Sequence, residues 1–359
     1  MIDYSKVLTM PAYEVRQEEK ESFFLKYLSE LTSIHRTRCE KYNRFLELVD
    51  KKKNYFHIED IPFLPVRVFK DLNLKSVSEK EVFKIMTSSG TTGQKTSKIV
   101  LDKKTAANQQ KTLAEIMSSY LGSKRVPMLI IDSESVIKDR KMFSARGAGI
   151  LGFSIFGSQR LFALDENMNL QVDKIRDFLE NHKGERILIF GFTYMIWEFF
   201  YKVLAENHES IDIENGILFH GGGWKKLQAE SVGAEEFKKC IEAVSGIKDI
   251  HDYYGMVEQT GCIYVECEEG YLHTSSYSDI ITRRGEDFSP CNIGEEGIIQ
   301  VLSLLPESYP GHSILTEDRG TIVGVDDCKC GKCGKYFIIN GRLKNAEVRG
   351  CSDTFERKV

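Results

Sequence analysis

The feature that most constrains the fold is an alternation of apolar runs with amphipathic segments between residues 99 and 254. The apolar runs predict buried strands, and the segments between them have the periodicity of helices. Strands that alternate with helices favour a largely parallel α/β sheet, because each helical crossover returns the chain in the same direction. The predicted strands are 99–101, 126–132, 186–190, 216–220 and 247–254, and the predicted helices are 105–121, 174–181, 193–206 and 234–244.

The two ends of the chain differ from this middle part. Residues 12–50 have helical periodicity, whereas residues 61–66 contain two prolines, which exclude a helix. From about residue 262, short predicted strands such as 297–304 and 320–325 follow one another with turn signals. We therefore expect four regions: a helical cover at 1–60, an α/β core at 61–261, a smaller β-rich subdomain at 262–341, and a hinge and tail at 342–359.

The composition is that of a soluble globular protein, with 42% hydrophobic and 28% charged residues. The net charge of −4 argues against nucleic-acid binding, because there is no basic surplus to neutralise phosphates. No apolar run approaches the roughly 20 residues that span a bilayer, and residues 1–6 lack the profile of a signal peptide. We expect a cytoplasmic protein that is not inserted in a membrane, with mostly reduced cysteines.

A loop rich in glycine and hydroxyl side chains lies at 87–98, between two predicted strands. Its glycines allow close approach of a ligand to the backbone, and consecutive N–H groups can form an anion-binding nest. Lys95 and Lys98 add positive charge. Such a loop suits a polyphosphate, although an ordinary polar hairpin turn has the same composition. It is not a Walker loop, because the Gly-x-x-x-x-Gly-Lys spacing is absent.

Five residues in the β-rich part are candidate metal ligands. Three cysteines fall within six residues, and a Cys and a His further upstream are separated by five residues. Four ligands are what a structural zinc site requires. We expect a structural Zn²⁺ bound by at most four of the five, with reduced surface thiols as the alternative, and the sequence leaves open which clustered cysteines bind. The five are Cys267, His273, Cys328, Cys330 and Cys333.

The loop sequence Ser-Ser-Gly-Thr-Thr-Gly resembles the phosphate loop of the adenylate-forming superfamily, whose members use ATP to activate a carboxylate as an acyl-adenylate. Four later motifs resemble those of the superfamily and follow in the same order: a triple glycine after a strand, Tyr-Gly-x-x-Glu, Thr-x-Asp and Gly-Arg-x-Lys. The corresponding ATP- or AMP-binding residues are Ser88, Ser89, Gly90, Thr91, Thr92, Gly93, Gly221, Gly222, Gly223, Tyr254, Gly255, Asp318 and Arg342.

The resemblance implies a role for several of these side chains. Tyr254 would stack on adenine, and Glu258 would hold Mg²⁺, a hard cation that prefers carboxylate and phosphate oxygens. Asp318 would accept hydrogen bonds from the ribose hydroxyls, with Arg342 against the ribose and the α-phosphate. The chain departs from the superfamily pattern at Glu317, where a glycine is usual.

The end of the chain resembles one branch of the superfamily. Typical members continue beyond the hinge as a mobile domain that carries a catalytic lysine, whereas only nine residues follow Gly350 here. This pattern, with Cys351 next to Gly350, resembles the acyl-protein synthetase (LuxE) family, which is close to phenylacetate–CoA ligase-like enzymes. Some of those enzymes also carry a zinc site of the Cys-x₅-His plus Cys-x-Cys type. The implied fold is the N-terminal architecture of adenylate-forming enzymes: βαβ sheets with a β-rich subdomain and no lysine domain.

The LuxE resemblance implies an ATP-dependent enzyme that adenylates a fatty acid and acylates its own C-terminal cysteine. Cys351 and Glu258 would then be the catalytic residues, and the acyl group would pass to a reductase or another acceptor protein. An acyl-CoA or carrier-protein ligase is the alternative enzyme. A catalytically inactive nucleotide-binding subunit is the alternative from another class. The sequence leaves open which acid is activated.

Overall fold

The computed structural model describes residues 3–50, 52, 54–88, 96–138, 145–224, 227 and 230–343, without the side chains at 138 and 145. The described chain divides into two compact units. Unit 1 takes in 3–88, 96–120 and 255–343, and unit 2 takes in 121–138 and 145–254.

Helices alternate with strands through the middle of the chain. The helices are α1 Gln17–Arg38, α2 Glu40–Val49, α3 Val68–Asp71, α4 Lys103–Leu121, α5 Ser135–Lys138, α6 Ala145–Phe153, α7 Val172–Asn181, α8 Thr193–Ile196, α9 Lys202–Glu206 and α10 Ala234–Ser245. The strands are β1 Leu64–Pro65, β2 Lys84–Thr87, β3 Lys98–Leu101, β4 Val126–Ser133, β5 Gly157–Leu164, β6 Ile187–Phe192, β7 Gly216–Gly221, β8 Asp249–Tyr254, β9 Tyr264–Glu266, β10 Leu272–His273, β11 Ser278–Arg283, β12 Glu296–Ser303, β13 Ser313–Val325 and β14 Lys335–Arg342.

Unit 2 contains the parallel sheet that the alternation predicted. Its strands lie in the order β8-β7-β6-β4-β5, and every neighbouring pair is parallel. The central strands are buried along their whole length, as expected for a sheet covered on both faces. The carboxyl ends of β6 and β7 are adjacent, with Phe192 paired to Gly221. Ligands bind beyond such carboxyl ends in open α/β sheets.

The core of unit 2 packs helices onto one face of this sheet. Side chains of α7, α9 and α10 meet alternate residues of the strands, since successive strand residues point to opposite faces. The prediction of one regular helix over 193–206 is wrong in one respect, because a π-helical turn at Trp197–Tyr201 separates α8 from α9. Trp197 and Phe200 of this turn are buried, so the wider turn places both rings in the core.

Unit 1 is built on an antiparallel sheet in the order β11-β12-β13-β14-β10-β9. Strand β1 adds to β13 in parallel, with Leu64 paired to Ile314 and Pro65 to Leu315. The register of β13 with β14 shifts twice, between Arg319 and Gly320 and between Ile322 and Gly324. A separate two-stranded hairpin joins β2 to β3.

Helix α1 is held in unit 1 by its apolar side and by its first turn. Phe24, Leu28 and Leu31 are fully buried and lie on one side of the helix, as the helical periodicity predicted. The N–H of Gln17 donates to both carboxylate oxygens of Asp326, at 3.2 and 3.0 Å. An acceptor from elsewhere in the chain thus serves the first turn, whose preceding residue makes no side-chain cap bond.

Among the described residues, no helix combines the length and the apolarity needed to cross a bilayer.

Candidate active site and metal cluster

The phosphate-loop motif is described only at its first residue. Residues 89–93 of the predicted site lie outside the described part of the chain, and so does Cys351. Ser88 makes two bonds across the hairpin: its N–H donates to the carbonyl of Ser97 at 3.1 Å, and its Oγ accepts from the N–H of Ser97 at 2.8 Å. Two hydrogen bonds between Ser88 and Ser97 therefore hold the base of the loop together.

The triple glycine follows β7, and each glycine has a physical reason. A Cβ at Gly221 would lie 2.7 Å from the carbonyl oxygen of Tyr253, and a Cβ at Gly222 would lie 2.7 Å from the ring of Phe192. Gly222 and Gly223 also have φ angles of +85° and +68°, a region that disfavours residues with a Cβ. The segment thus exposes bare backbone at the carboxyl edge of the parallel sheet.

His220 lies directly before this turn, and a hydrogen bond with Thr193 holds its side chain. The Thr193 Oγ1 is 3.0 Å from His220 Nδ1, and the same hydroxyl donates to the carbonyl of Gly221 at 3.2 Å. Burial lowers the pKa of His220 to about 3, so the imidazole is neutral at physiological pH. The neutral ring makes its hydrogen bond with Thr193 directly beside the turn.

The Tyr-Gly-x-x-Glu motif runs from the end of β8 into a short 3₁₀ helix, Val257–Gln259. Tyr253 packs on the ring of Phe153, with centroids 5.3 Å apart, so the next residue, Tyr254, leaves the strand on its other face. Gly255 follows, where a Cβ would come within 3.1 Å of Ile263. The aromatic pair thus divides its side chains between the two faces of the strand.

Glu258 is buried, with 2% of its surface exposed. Its main-chain carbonyl accepts a hydrogen bond from the Tyr309 hydroxyl at 2.9 Å. The neighbouring Gln259 donates through Nε2 to the carbonyls of Val301 and Gly311, at 3.1 and 2.9 Å. These bonds hold the short helix, and with it the backbone of Glu258, against β12 and the segment that precedes β13.

Asp318 and Arg342 meet where β13 pairs with β14. They are opposite each other in the ladder, and Arg342 Nε donates to Asp318 Oδ1 at 3.2 Å. The Asp318 N–H donates in turn to Thr316 Oγ1 at 3.1 Å. The two motifs that the sequence placed 24 residues apart are therefore one contact in the structure.

Glu317 takes part in the same contact. Its carboxylate accepts from Arg342 Nη2 at 2.9 Å and also pairs with Arg67 Nε. Arg67 was not among the residues predicted from the sequence. The charge that replaces the usual glycine is thus shared between two arginines.

The candidate metal ligands converge in unit 1. One donor atom from each of four residues lies within 4.8 Å of every other, and the four are Cys267, His273, Cys328 and Cys330. The Cys267 and Cys328 sulfurs are 4.0 Å apart, and the Cys330 sulfur is 3.3 Å from His273 Nε2. Donor atoms around a tetrahedral zinc ion are about 3.5–3.8 Å apart, so the spacing fits this ion.

Two turns shape this cluster. The N–H of Gly270 donates to the carbonyl of Cys267 at 2.9 Å, and the N–H of Gly331 donates to that of Cys328 at 3.0 Å. Both glycines have positive φ, +80° and +81°. Cys333 lies outside the set of four, and its N–H donates to the carbonyl of Tyr13 at 2.8 Å.

Burial sets the protonation state of the cluster in the absence of a metal. It raises the pKa of the Cys330 thiol to about 12 and lowers the pKa of His273 to about 4. His273 Nδ1 is buried without a hydrogen-bond partner in the described structure. A cation on the thiolates would offset the first effect, since metal binding favours deprotonated sulfur.

A buried ion pair in unit 2 was not predicted. Arg146 Nε lies 3.1 Å from Asp132 Oδ2, and Arg146 Nη1 donates to the Tyr194 hydroxyl at 3.1 Å. The pair ties the start of α6 to the carboxyl end of β4. Nothing in the local sequence signals it, because the two residues belong to separate elements.

The fold resembles solved adenylate-forming ligases. An open conformation of 2-hydroxyisobutyryl-CoA ligase, in complex with 2-HIB-AMP and CoA, superposes with a TM-score of 0.69 at 14% identity, over 93% of this chain and 77% of that chain. The same enzyme in the postadenylation state with R3-HIB-AMP gives a TM-score of 0.68 at 15% identity, over 92% and 69%. The predicted architecture of adenylate-forming enzymes is thereby confirmed.

Sequence comparison identifies the family. The long-chain-fatty-acid–luciferin-component ligase of Vibrio harveyi is 24% identical over 336 residues, which cover 89% of this chain and 83% of the relative. The family model described as acyl-protein synthetase, LuxE, matches residues 2–359. The chain therefore belongs to the LuxE family of acyl-protein synthetases.

Proposed function

We propose that this acid–thiol ligase adenylates a fatty acid and then transfers the acyl group to the thiol of Cys351. Enzymes of this type form acyl-AMP first and a thioester second. The observation that carries the proposal is the LuxE match over residues 2–359, which includes Cys351. The contact of Asp318 with Arg342 supports the first half-reaction, because it places a hydroxyl acceptor beside a cation suited to a phosphate.

In the first half-reaction a carboxylate oxygen of the acid attacks the α-phosphorus of ATP, and the bond to the leaving pyrophosphate breaks. We assign the phosphates to the residues from Ser88 to Gly93. Glu258 would hold Mg²⁺, whose positive charge would offset that of the phosphate oxygens. Arg342 faces the charge that develops on the α-phosphate.

The nucleoside is assigned to residues at strand ends. We propose that bare backbone at Gly221, Gly222 and Gly223 lies against the adenine, and that the ring of Tyr254 and the backbone of Gly255 complete its binding. Asp318 accepts hydrogen bonds from the ribose hydroxyls. The exposure of Gly222 and Gly223 supports this assignment, because it leaves their backbone accessible to a ligand.

In the second half-reaction the thiolate of Cys351 attacks the acyl carbonyl carbon, and AMP leaves with the electrons of the broken bond. The product is a thioester on the protein itself. The Vibrio harveyi relative is named for a fatty acid and a luciferin component. For this chain we propose a fatty acid as the substrate and an acyl reductase or a similar acceptor protein as the partner.

We propose that Cys267, His273, Cys328 and Cys330 bind one structural Zn²⁺. The donor set, three sulfur atoms and one imidazole nitrogen in a compact group, supports this assignment. The three cysteines come from two turns that local hydrogen bonds already shape, and His273 lies on β10. The ion would cross-link these turns and contribute to the stability of unit 1.

The test follows radiolabelled acids from butyrate to tetradecanoate through both half-reactions. Purified protein is assayed for acid-dependent ATP–pyrophosphate exchange, then denatured and counted for label that hydroxylamine removes. We expect exchange with a fatty acid and retained, hydroxylamine-labile label. Cys351→Ser should keep the exchange and lose the label, whereas Cys291→Ser, a matched change of another thiol, should keep both.

Three other outcomes would each contradict part of the proposal. Label on Cys351→Ser equal to that of the parent would place the nucleophile elsewhere. Label that appears only on added CoA or carrier protein would identify a ligase with an external acceptor. Absence of exchange with every acid, in a protein that still binds ATP, would identify an inactive nucleotide-binding subunit.

A further inference from the structure

The carboxylate of Glu317 is shared between two arginines that come from distant parts of the chain. One oxygen pairs with Arg67 Nε, and the other accepts from Arg342 Nη2 at 2.9 Å. The side chain of Glu317 is 10% exposed, and those of Arg67 and Arg342 are 50% and 32% exposed. The most buried member of the group is therefore the carboxylate at its centre.

Strand pairing along one edge of β13, the edge opposite β12, creates this arrangement. The pairs Leu64–Ile314 and Pro65–Leu315 bring β1 alongside β13, and the Val66 N–H donates to the carbonyl of Leu315 at 2.9 Å. This register delivers the next residue, Arg67, beside Glu317. Further along the same edge of β13, just beyond β14, the N–H of Leu343 donates to the carbonyl of Glu317 at 2.9 Å. Backbone bonds thus fix both arginines relative to the glutamate.

The two carboxylates hold Arg342 by one edge of its guanidinium. Nε donates to Asp318 and Nη2 donates to Glu317, and these two N–H groups lie on the same side of the planar group. Two acceptors on one edge define both the position and the plane of a guanidinium, whereas a single acceptor leaves rotation about the bond. Glu317 therefore orients Arg342, and Arg67 limits the freedom of Glu317.

We propose that Glu317 is a positioning residue for the adenylation half-reaction. It keeps the guanidinium of Arg342 aligned on Asp318. The carboxylate that accepts from the ribose hydroxyls and the guanidinium that faces the α-phosphate then hold a fixed distance and orientation when the nucleotide binds. Arg67 acts on this contact through Glu317. This inference rests on the proposed function, since it takes Asp318 and Arg342 as the contacts of ribose and α-phosphate.

The test compares Glu317→Gln with Arg67→Met and with the double variant. The amide keeps the size of the side chain but loses the charge that binds two arginines. We expect kcat/KM for ATP in pyrophosphate exchange to fall roughly 10- to 100-fold in Glu317→Gln, the range for one hydrogen bond to a charged group. The preference for ATP over 2′-deoxy-ATP should shrink as well, because Asp318 is less well placed.

Arg67→Met should shift both quantities in the same direction by less. The double variant should resemble Glu317→Gln alone, because a residue that acts through another adds nothing once the other is gone. Glu295→Gln is the matched control: Glu295 also pairs with an arginine in unit 1, Arg284, with contacts of 2.8 and 2.5 Å. It should leave kcat/KM and the nucleotide preference unchanged.

A purely structural role for Glu317 predicts a different result. The melting temperature would fall, while kcat/KM and the nucleotide preference of the folded protein would equal those of the parent, and this outcome would overturn the proposal. Additive effects of Arg67→Met and Glu317→Gln in the double variant would also overturn the proposal.

Calorimetric binding of AMP and 2′-deoxy-AMP separates this inference from the proposed function. If none of the tested acids supports pyrophosphate exchange by the parent, the proposed function fails. The binding of the two nucleotides still decides the role of Glu317 in that case. Weaker AMP binding with a smaller preference over 2′-deoxy-AMP in Glu317→Gln supports it. Unchanged binding of both nucleotides overturns it.

Discussion

The imidazole rings of His35 and His312 stack inside unit 1, with centroids 5.1 Å apart and planes at 25°. His35 Nε2 is 3.0 Å from the carbonyl oxygen of Pro306, and its Nδ1 is 2.7 Å from Ser76 Oγ. The carbonyl can only accept, so Nε2 carries the proton and Nδ1 accepts from the serine. Burial lowers the pKa of His35 to about 3 and that of His312 well below its usual range.

This pair predicts loss of stability in acid. The unfolded chain protonates its histidines below about pH 6.5, whereas folded His35 stays neutral down to about pH 3 and the pKa of His312 is also lowered, so the unfolded state binds more protons in this window. The free energy of unfolding should therefore decrease as the pH is lowered, by up to about 1.4 kcal/mol per pH unit for each histidine. Urea unfolding followed by far-UV circular dichroism at pH 7.5 and 5.5 measures the change.

His35→Gln is the matched variant for this prediction, because the amide can still bond to Ser76 and to the carbonyl of Pro306. It should lower the stability at neutral pH but make its pH dependence shallower, since one titrating group is gone. An equally steep pH dependence in the variant would mean that other groups cause the acid effect.

The triple glycine predicts unequal costs at two adjacent positions. Alanine at Gly223 should cost about 1–2 kcal/mol for the left-handed backbone alone, because no atom of the described residues lies within 4 Å of its Cβ. Alanine at Gly222 adds a clash with the Phe192 ring, typically about 1–3 kcal/mol more. Trp197 and Trp224 both belong to unit 2, so urea unfolding by tryptophan fluorescence reports the right part of the chain. Equal losses would show that Phe192 moves aside.

The metal cluster predicts about one zinc ion per chain, measured by inductively coupled plasma mass spectrometry. Cys267→Ala should lose the ion and lower Tm by roughly 5–10 °C, because a closed four-ligand site contributes directly to folding. Cys333→Ala should retain the ion, since Cys333 lies outside the set of four. If the parent is purified without metal and its Tm does not change on addition of zinc, the four residues are ordinary thiols and an imidazole and do not form a zinc site.

Glu258 predicts a magnesium-dependent defect. Glu258→Gln conserves size, so Tm should change little, while exchange at limiting Mg²⁺ should fall at least tenfold through loss of a charged ligand. Raising the Mg²⁺ concentration should recover part of the activity. A variant that matches the parent across the whole Mg²⁺ titration would remove Glu258 from the metal site.

Local periodicity predicted most of the parallel sheet, because buried strands such as β4, β6 and β7 are continuous apolar runs. It missed β5, whose first half is exposed after Gly157 and whose only paired strand among the described residues is β4. It also missed the π-helical turn at Trp197–Tyr201. That turn widens a helix by a change of hydrogen-bond partner, which leaves the apolar pattern of the sequence almost intact.

Long-range pairing explains the rest of what the sequence could not predict. Arg67 and Glu317 are 250 residues apart, and only the pairing of β1 with β13 makes them neighbours. The choice among the clustered cysteines depends on a turn at Gly331 that returns Cys330 towards His273. The motifs themselves were readable because each is local in the sequence.

The two irregularities in the pairing of β13 with β14 have opposite senses. The extra residue is Asn340 on β14 in one and Val323 on β13 in the other, so the two insertions cancel along the ladder. A slip of one residue turns a side chain to the opposite face of a sheet. Losing either insertion alone would therefore carry Arg342 away from Asp318, whereas losing both together would leave them opposite each other. Length changes at positions 323 and 340 should consequently be tolerated only as a compensating pair, which makes these two sites a joint constraint on how the family can diverge.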